Sequence, residues 1–102
     1  MAIYHINKEN FEQEVLRSQK PVLLDFFATW CGPCKMLAPV LEQVAEERED
    51  IKVCKVDVDE APELAAQYGV MSIPSLFVIR DGQVVEEAMG ALPKQAILEL
   101  LK

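Results

Sequence analysis

The sequence predicts an α/β domain: a central mixed sheet of about five strands flanked by about four helices, in the order βαβαβαββα. Three observations predict it. Apolar runs with strand character (VLLDFFA, IKVCKVDV, IPSLFVI) alternate with stretches of helical periodicity. Strands joined through crossover helices are expected to run parallel. The last two strands are joined only through Arg80-Asp81-Gly82; Asp-Gly is a hairpin signal, so that pair is antiparallel and the sheet is mixed.

Each element has its own warrant. IYHI reads as a short first strand. Asn7 is a suitable N-cap for a first helix with Phe11, Val15 and Leu16 turned inward. Pro21 opens the central strand, which extends to about Ala28. Leu37, Val40, Leu41, Val44 and Ala45 then follow the i, i+3, i+4, i+7, i+8 spacing of an amphipathic helix. Pro39 lies within it, removes a backbone donor and should kink the axis. APELAAQYG predicts a short helix with Pro62 in its first turn and Gly69 just past its end. IPSLFVI and QVVEEAM are the hairpin strands. From Pro93 a last helix carries Ala96, Ile97, Leu100 and Leu101 on one face.

With 102 residues, the chain has room for one hydrophobic core, so residues 1–102 are expected to form a single domain. Its 51% hydrophobic and 26% charged residues are an ordinary globular balance. The net charge of −7 argues against nucleic acid or an anionic membrane as partner, because a phosphate backbone needs a basic patch. MAIYHINKEN has neither a basic nor an apolar leader region, and no apolar run approaches a membrane span. The expectation is a cytoplasmic protein whose three cysteines are normally reduced.

Two of those cysteines form Cys31-Gly32-Pro33-Cys34, between the end of a buried strand and the start of a helix. Open α/β sheets tend to place their sites at this edge. Pro33 suits the first helical position, which puts Cys31 near the N-cap, facing unsatisfied backbone N–H groups and the positive end of the helix dipole. Both favour a thiolate, so the thiol of Cys31 should be acidic and nucleophilic. Cys34 lies one turn deeper. In the resulting chemistry Cys31 attacks a substrate disulfide, and Cys34 then resolves the mixed disulfide. A zinc site would need a second ligand pair, and only Cys54 and His5 remain, so no metal or other cofactor is expected. Cys54 alternates with Val56 and Val58 and reads as a small core residue, with a regulatory thiol as the minor alternative.

Asp25 is the anomaly. Leu23, Asp25 and Phe27 share one strand face and Val22, Leu24, Phe26 and Ala28 the other, so the carboxylate should be buried whichever face it occupies. An unpaired buried carboxylate costs several kcal/mol and either raises its pKa or finds a partner. If the helix after the cysteines folds back over this strand, its first turn passes above Asp25, which becomes a suitable general base for Cys34. The alternative role is an ion pair with Lys55, another charged residue in an apolar-rich strand. The two roles are compatible.

DFFAT followed by WCGPCK, then IP before a strand, DG, and MGALP, resembles the thioredoxin family over essentially the whole chain. That family is itself a standing example of a C-x-x-C thiol of lowered pKa and of a reducing dithiol. The resemblance implies a thioredoxin fold and a general protein disulfide reductase. Cys31 would be its exposed nucleophile, Cys34 the resolving thiol and Asp25 the buried acid/base residue, with Lys55 near it. It further implies that Pro74 is a cis-proline facing the site, and that backbone groups of Ile73 pair with an extended substrate segment. Trp30, Gly32, Pro33, Ile73, Pro74, Gly90 and Ala91 would form a flat apolar docking surface. The implied partners are disulfide-containing proteins and a thioredoxin-reductase-type flavoprotein or equivalent electron donor, with the chain acting as a monomer. Phe27 stands where tryptophan is often found, Ser72 where glycine is, and Ser75 where threonine is; Met71 is apolar where a polar residue is common. The changes at 71 and 72 touch the docking surface and bear on partner preference.

Two other functions share these motifs. An oxidase or isomerase of the same fold would make disulfides, but its relatives tend to carry His within the C-x-x-C, and this chain has Gly-Pro. A binding subunit would use the docking surface without turnover, and has no use for two thiols.

Overall fold

A computed structural model describes residues 3–102. Strands β1 (Ile3–Ile6), β2 (Val22–Phe27), β3 (Lys52–Asp57), β4 (Ser75–Arg80) and β5 (Gln83–Met89) form one sheet in the order β1-β3-β2-β4-β5. β3 runs parallel to both β1 and β2, while β4 is antiparallel to β2 and to β5. The sheet is mixed, as the connections require: α1 (Gly32–Glu47) carries the chain from β2 to β3, and the β4–β5 link is a tight turn. Asp81 and Gly82 at that turn have φ of 53° and 80°, the double left-handed conformation that suits the twist of a two-residue hairpin.

Strand alternation splits the core in two. Leu23, Val53, Leu76 and Val78 face α1 and α3 (Lys94–Leu100), packing on Leu37, Leu41, Val44, Ile97 and Leu101. Val22, Leu24, Phe26, Cys54, Val56 and Phe77 face the other way, onto Phe11, Val15 and α2 (Pro62–Gln67) through Leu64. Aromatic edges lock this second layer: Phe26, Phe77 and Tyr68 lie with ring centroids 5.3–5.6 Å apart.

Two expectations change. The first helix is a single π-helical stretch, Glu12–Leu16, closed by the Arg17 amide donating to the Glu12 carbonyl at 2.9 Å. Asn7 does not cap it. Its carboxamide oxygen accepts from the Asn10 amide at 2.9 Å while the Asn10 side chain accepts from the Asn7 amide at 2.8 Å, closing a separate turn. This reciprocal pairing delays the helix to Phe11, and a short wide turn suffices to bury Phe11 and Val15. On the last helix, Leu98 and Leu100 pack beside Ile97 and Leu101. Elsewhere, α1 continues through the exposed Pro39, where the unmade bond is left at the solvent side. Tyr68 ends α2 and Gly69 follows with φ 66°.

The hairpin yields a direct test. A Cβ at Gly82 would lie 3.3 Å from the Leu16 carbonyl oxygen, on a backbone already in the left-handed region. Gly82→Ala is expected to lower unfolding free energy by roughly 1–2 kcal/mol in urea titration, with the reaction at the distant cysteines unchanged.

Candidate functional site

β2 ends at Phe27, and residues 28–31 turn the chain into α1 at the carboxyl edge of the sheet. Cys31 is the N-cap of α1 and has extended backbone geometry; Gly32 and Pro33 take the first two helical positions, so Pro33 lies one place further in than expected. The Cys31 sulfur accepts a hydrogen bond from the Cys34 amide at 3.2 Å, the bond that an N-cap side chain makes to the third helical residue. The same amide that satisfies the helix end therefore stabilises negative charge on that sulfur. Cys31 and Cys34 are joined as a disulfide, with Cα atoms 5.2 Å apart. Both are buried, in a small cluster with Ala28 against Phe27, Val58 and Ile73.

Asp25 shares a face of β2 with Leu23, which packs against α1, and lies six residues before Cys31. Only 1% of the residue is exposed, and carboxylate oxygen Oδ1 has no hydrogen-bond partner among the described residues. Burial pushes its pKa up to about 7, against the lowering pull of the Lys55 charge. Lys55 stands directly opposite in the β2–β3 register, with Nζ 3.9 Å from Asp25 Oδ2. At that separation it is an ion-pair neighbour rather than a hydrogen-bond donor, so desolvation outweighs attraction. The same ammonium sits 4.5 Å from the centre of the Phe27 ring. The phenylalanine at 27 therefore supplies the aromatic face that steadies Lys55.

Of the remaining residues, Ile73 approaches the disulfide. The Ile73–Pro74 peptide bond is cis, and the Ile73 carbonyl oxygen lies 3.9 Å from the Cys31 sulfur. Pro74 is buried and Ile73 is half-buried. The Gly90 amide donates to the Pro74 carbonyl at 2.9 Å, tying the loop after β5 to the one before β4, with Gly90 at φ 95°. Gly32, Pro33 and Ala91 are exposed. Trp30 is 68% exposed, yet its indole N–H donates to Asp59 Oδ2 at 2.8 Å. Asp59 is held in turn, its amide donating to Asp57 Oδ1 at 2.8 Å.

Asp59 was not legible in the sequence. It lies in an acidic loop after β3, where one carboxylate resembles another; only the chain reversal brings it to Trp30. The exposure of Met36, Met71 and Met89 was likewise missed, except as a substitution at 71. Cys54 is fully buried in the opposite core layer, with its thiol pKa pushed up to about 12 by burial. Among the described residues, no group of three or more His, Cys, Asp or Glu side chains could hold a metal ion, and no helix is long and apolar enough to cross a membrane.

A family model described as Thioredoxin matches residues 2–102. The Thioredoxin of Bacillus subtilis is 52% identical over 102 residues, which span 99% of this chain and 96% of that protein. Thioredoxin 1 of Synechococcus elongatus is 48% identical over 97 residues, 94% of this chain and 91% of its own. The Thioredoxin of Streptomyces clavuligerus is 49% identical over 97 residues, 95% of this chain and 91% of its own.

The Asp25 environment has a thermodynamic signature. Its folded-state pKa of about 7 lies above the ordinary 3.8. The native state therefore holds a proton that the unfolded state has released between those values. Stability from this group is fully present below pH 3.8 and is lost as pH rises through 7. Asp25→Asn is expected to flatten stability across that window and to make the disulfide form more stable at pH 8, by roughly 3–4 kcal/mol. Denaturant unfolding at several pH values measures it.

Proposed function

The chain belongs to the thioredoxin family and is a dithiol–disulfide oxidoreductase that reduces protein disulfides, and from that premise we propose how its residues divide the work. The carrying observation is the Cys31 sulfur at the α1 N-cap, accepting the Cys34 amide.

In the dithiol form the Cys31 thiolate attacks one sulfur of a substrate disulfide. The substrate S–S bond breaks, and its electron pair leaves on the second substrate sulfur. A mixed disulfide remains. Asp25, with a pKa near the working pH, takes the proton of Cys34, directly or through one water. The Cys34 thiolate then attacks the Cys31 sulfur, closing the Cys31–Cys34 disulfide and releasing the substrate as a dithiol. Two electrons pass to the substrate. Lys55 is the counter-charge that favours ionised Asp25, the form able to accept that proton.

Trp30, Gly32, Pro33, Ile73, Gly90 and Ala91, backed by Pro74, form the docking surface for an extended, largely apolar substrate segment. Backbone groups of Ile73 pair with that segment. A surface assembled from loops and main chain suits many substrates rather than one. Residues 1–102 act as a single domain and as a monomer, in the cytoplasm. Electrons come from a reductase partner, proposed here to be a thioredoxin-reductase-type flavoprotein. The acidic surface of the chain favours a reductase with a basic docking face.

The division of labour is tested by trapping. Cys34→Ser incubated with a protein disulfide is expected to accumulate a mixed disulfide on non-reducing gels, and Cys31→Ser to form none. The reverse pattern would exchange the two roles. Asp25→Asn is expected to form the mixed disulfide at the wild-type rate and to resolve it roughly 10²-fold more slowly at pH 7. Its resolution rate should also lose the rise through pH 7 seen in the wild type. Unchanged resolution would remove Asp25 from the proton transfer.

A further inference from the structure

Among the described residues, the most exposed sulfur-bearing side chains are not the cysteines. Cys31, Cys34 and Cys54 are 5%, 4% and 0% exposed, whereas Met71, Met36 and Met89 are 94%, 70% and 65% exposed. Two of these thioethers belong together. Met71 and Met89 line one groove of about 390 Å³, with Val70, Phe77 and Ala88 on its walls. The Ser72 hydroxyl donates to the Met89 sulfur at 3.0 Å, bridging the two segments. Ser72 and Met89 are the chain neighbours of Ile73 and Gly90, two residues of the docking surface proposed above. Met36 lies apart on α1 and lines none of it.

We propose that Met71 and Met89 form a peroxide-reactive modification site whose oxidation weakens the docking of protein disulfides. The inference rests on the docking surface proposed above. Once Cys31 and Cys34 are joined as a disulfide, neither offers a thiolate, and buried Cys54 is inert. A peroxide then meets the thioethers. The sulfur lone pair attacks one peroxide oxygen and the O–O bond breaks. That oxygen becomes the sulfoxide and the other leaves as water, so the sulfur loses two electrons and the peroxide gains them. The product replaces an adaptable apolar side chain with a polar one, at the rim where a substrate segment must bury apolar atoms. The Ser72 hydroxyl that already donates to the Met89 sulfur is placed to bond the new oxygen. Two thiols of a methionine sulfoxide reductase reverse the change, becoming a disulfide and releasing water.

The full chain in its disulfide form is treated with hydrogen peroxide. Sulfoxides are located by peptide mass spectrometry. After reduction of the disulfide, the protein is assayed with insulin and with the small disulfide dithionitrobenzoate. The expected result is an added oxygen on Met71 and Met89, about a fivefold rise in KM for insulin, and no change with the small disulfide. The ratio of KM after treatment to KM before should fall to about one in M71L/M89L and keep the wild-type value in M36L, if these residues act as assigned. An unchanged KM in oxidised wild type, or an equal rise in M71L/M89L, overturns the proposal. Untreated M71Q/M89Q separates the two readings. If it raises KM while oxidised wild type does not, docking stands and the oxidation site falls; if it leaves KM unchanged, the docking reading of this groove falls with it.

Discussion

A buried carboxyl group on the central strand, one of its oxygens without a hydrogen-bond partner among the described residues, is the constraint on which this site depends. Asp25 could be stabilised as an anion by moving Lys55 closer, or removed in favour of another leucine; neither has happened. Lys55 is held at 3.9 Å, with its ammonium drawn toward the Phe27 ring. The compromise leaves the carboxyl poised near neutrality, and that poise is incompatible with maximal stability.

The rest of the fold supports that arrangement. β2 is central in the sheet, flanked by β3 and β4, so Asp25, opposite Lys55 on one side and Leu76 on the other, is shielded from solvent. α1 must begin where β2 ends, because the crossover to β3 starts there. Its N-terminus therefore arrives at the same edge as the carboxyl group. One end of that helix thus supplies an amide for the Cys31 sulfur. The loops before β4 and after β5, tied by the Gly90–Pro74 hydrogen bond, complete the edge.

Much of this was legible in the sequence, for identifiable reasons. Period-2 alternation in VLLDFF assigns Asp25 to a face, and since both faces are apolar its burial follows without knowing the fold. Lys55 was recognisable by the same logic in KVCKVD, and the strand register set it opposite Asp25. The positive φ of Asp81, Gly82 and Gly69 was anticipated by residue type. What stayed hidden depends on local competition or on distance. Asn7 and Asn10 prefer to cap each other, which turns a predicted helix into a π-helical stretch. Asp59 reaches Trp30 across 29 positions of sequence, and no pattern marks it among its acidic neighbours. The burial of Pro74 follows from how the loops before β4 and after β5 meet, which no single segment encodes.

The most direct measurement is the titration of the Asp25 carboxyl carbon by NMR in the disulfide form, where neither Cys31 nor Cys34 can ionise. A single transition centred near pH 7 is expected from its desolvation. A midpoint in the ordinary carboxylate range, near pH 4, would mean that Lys55 or bound water satisfies the anion, and Asp25 could not then serve as the proton acceptor for Cys34 at neutral pH.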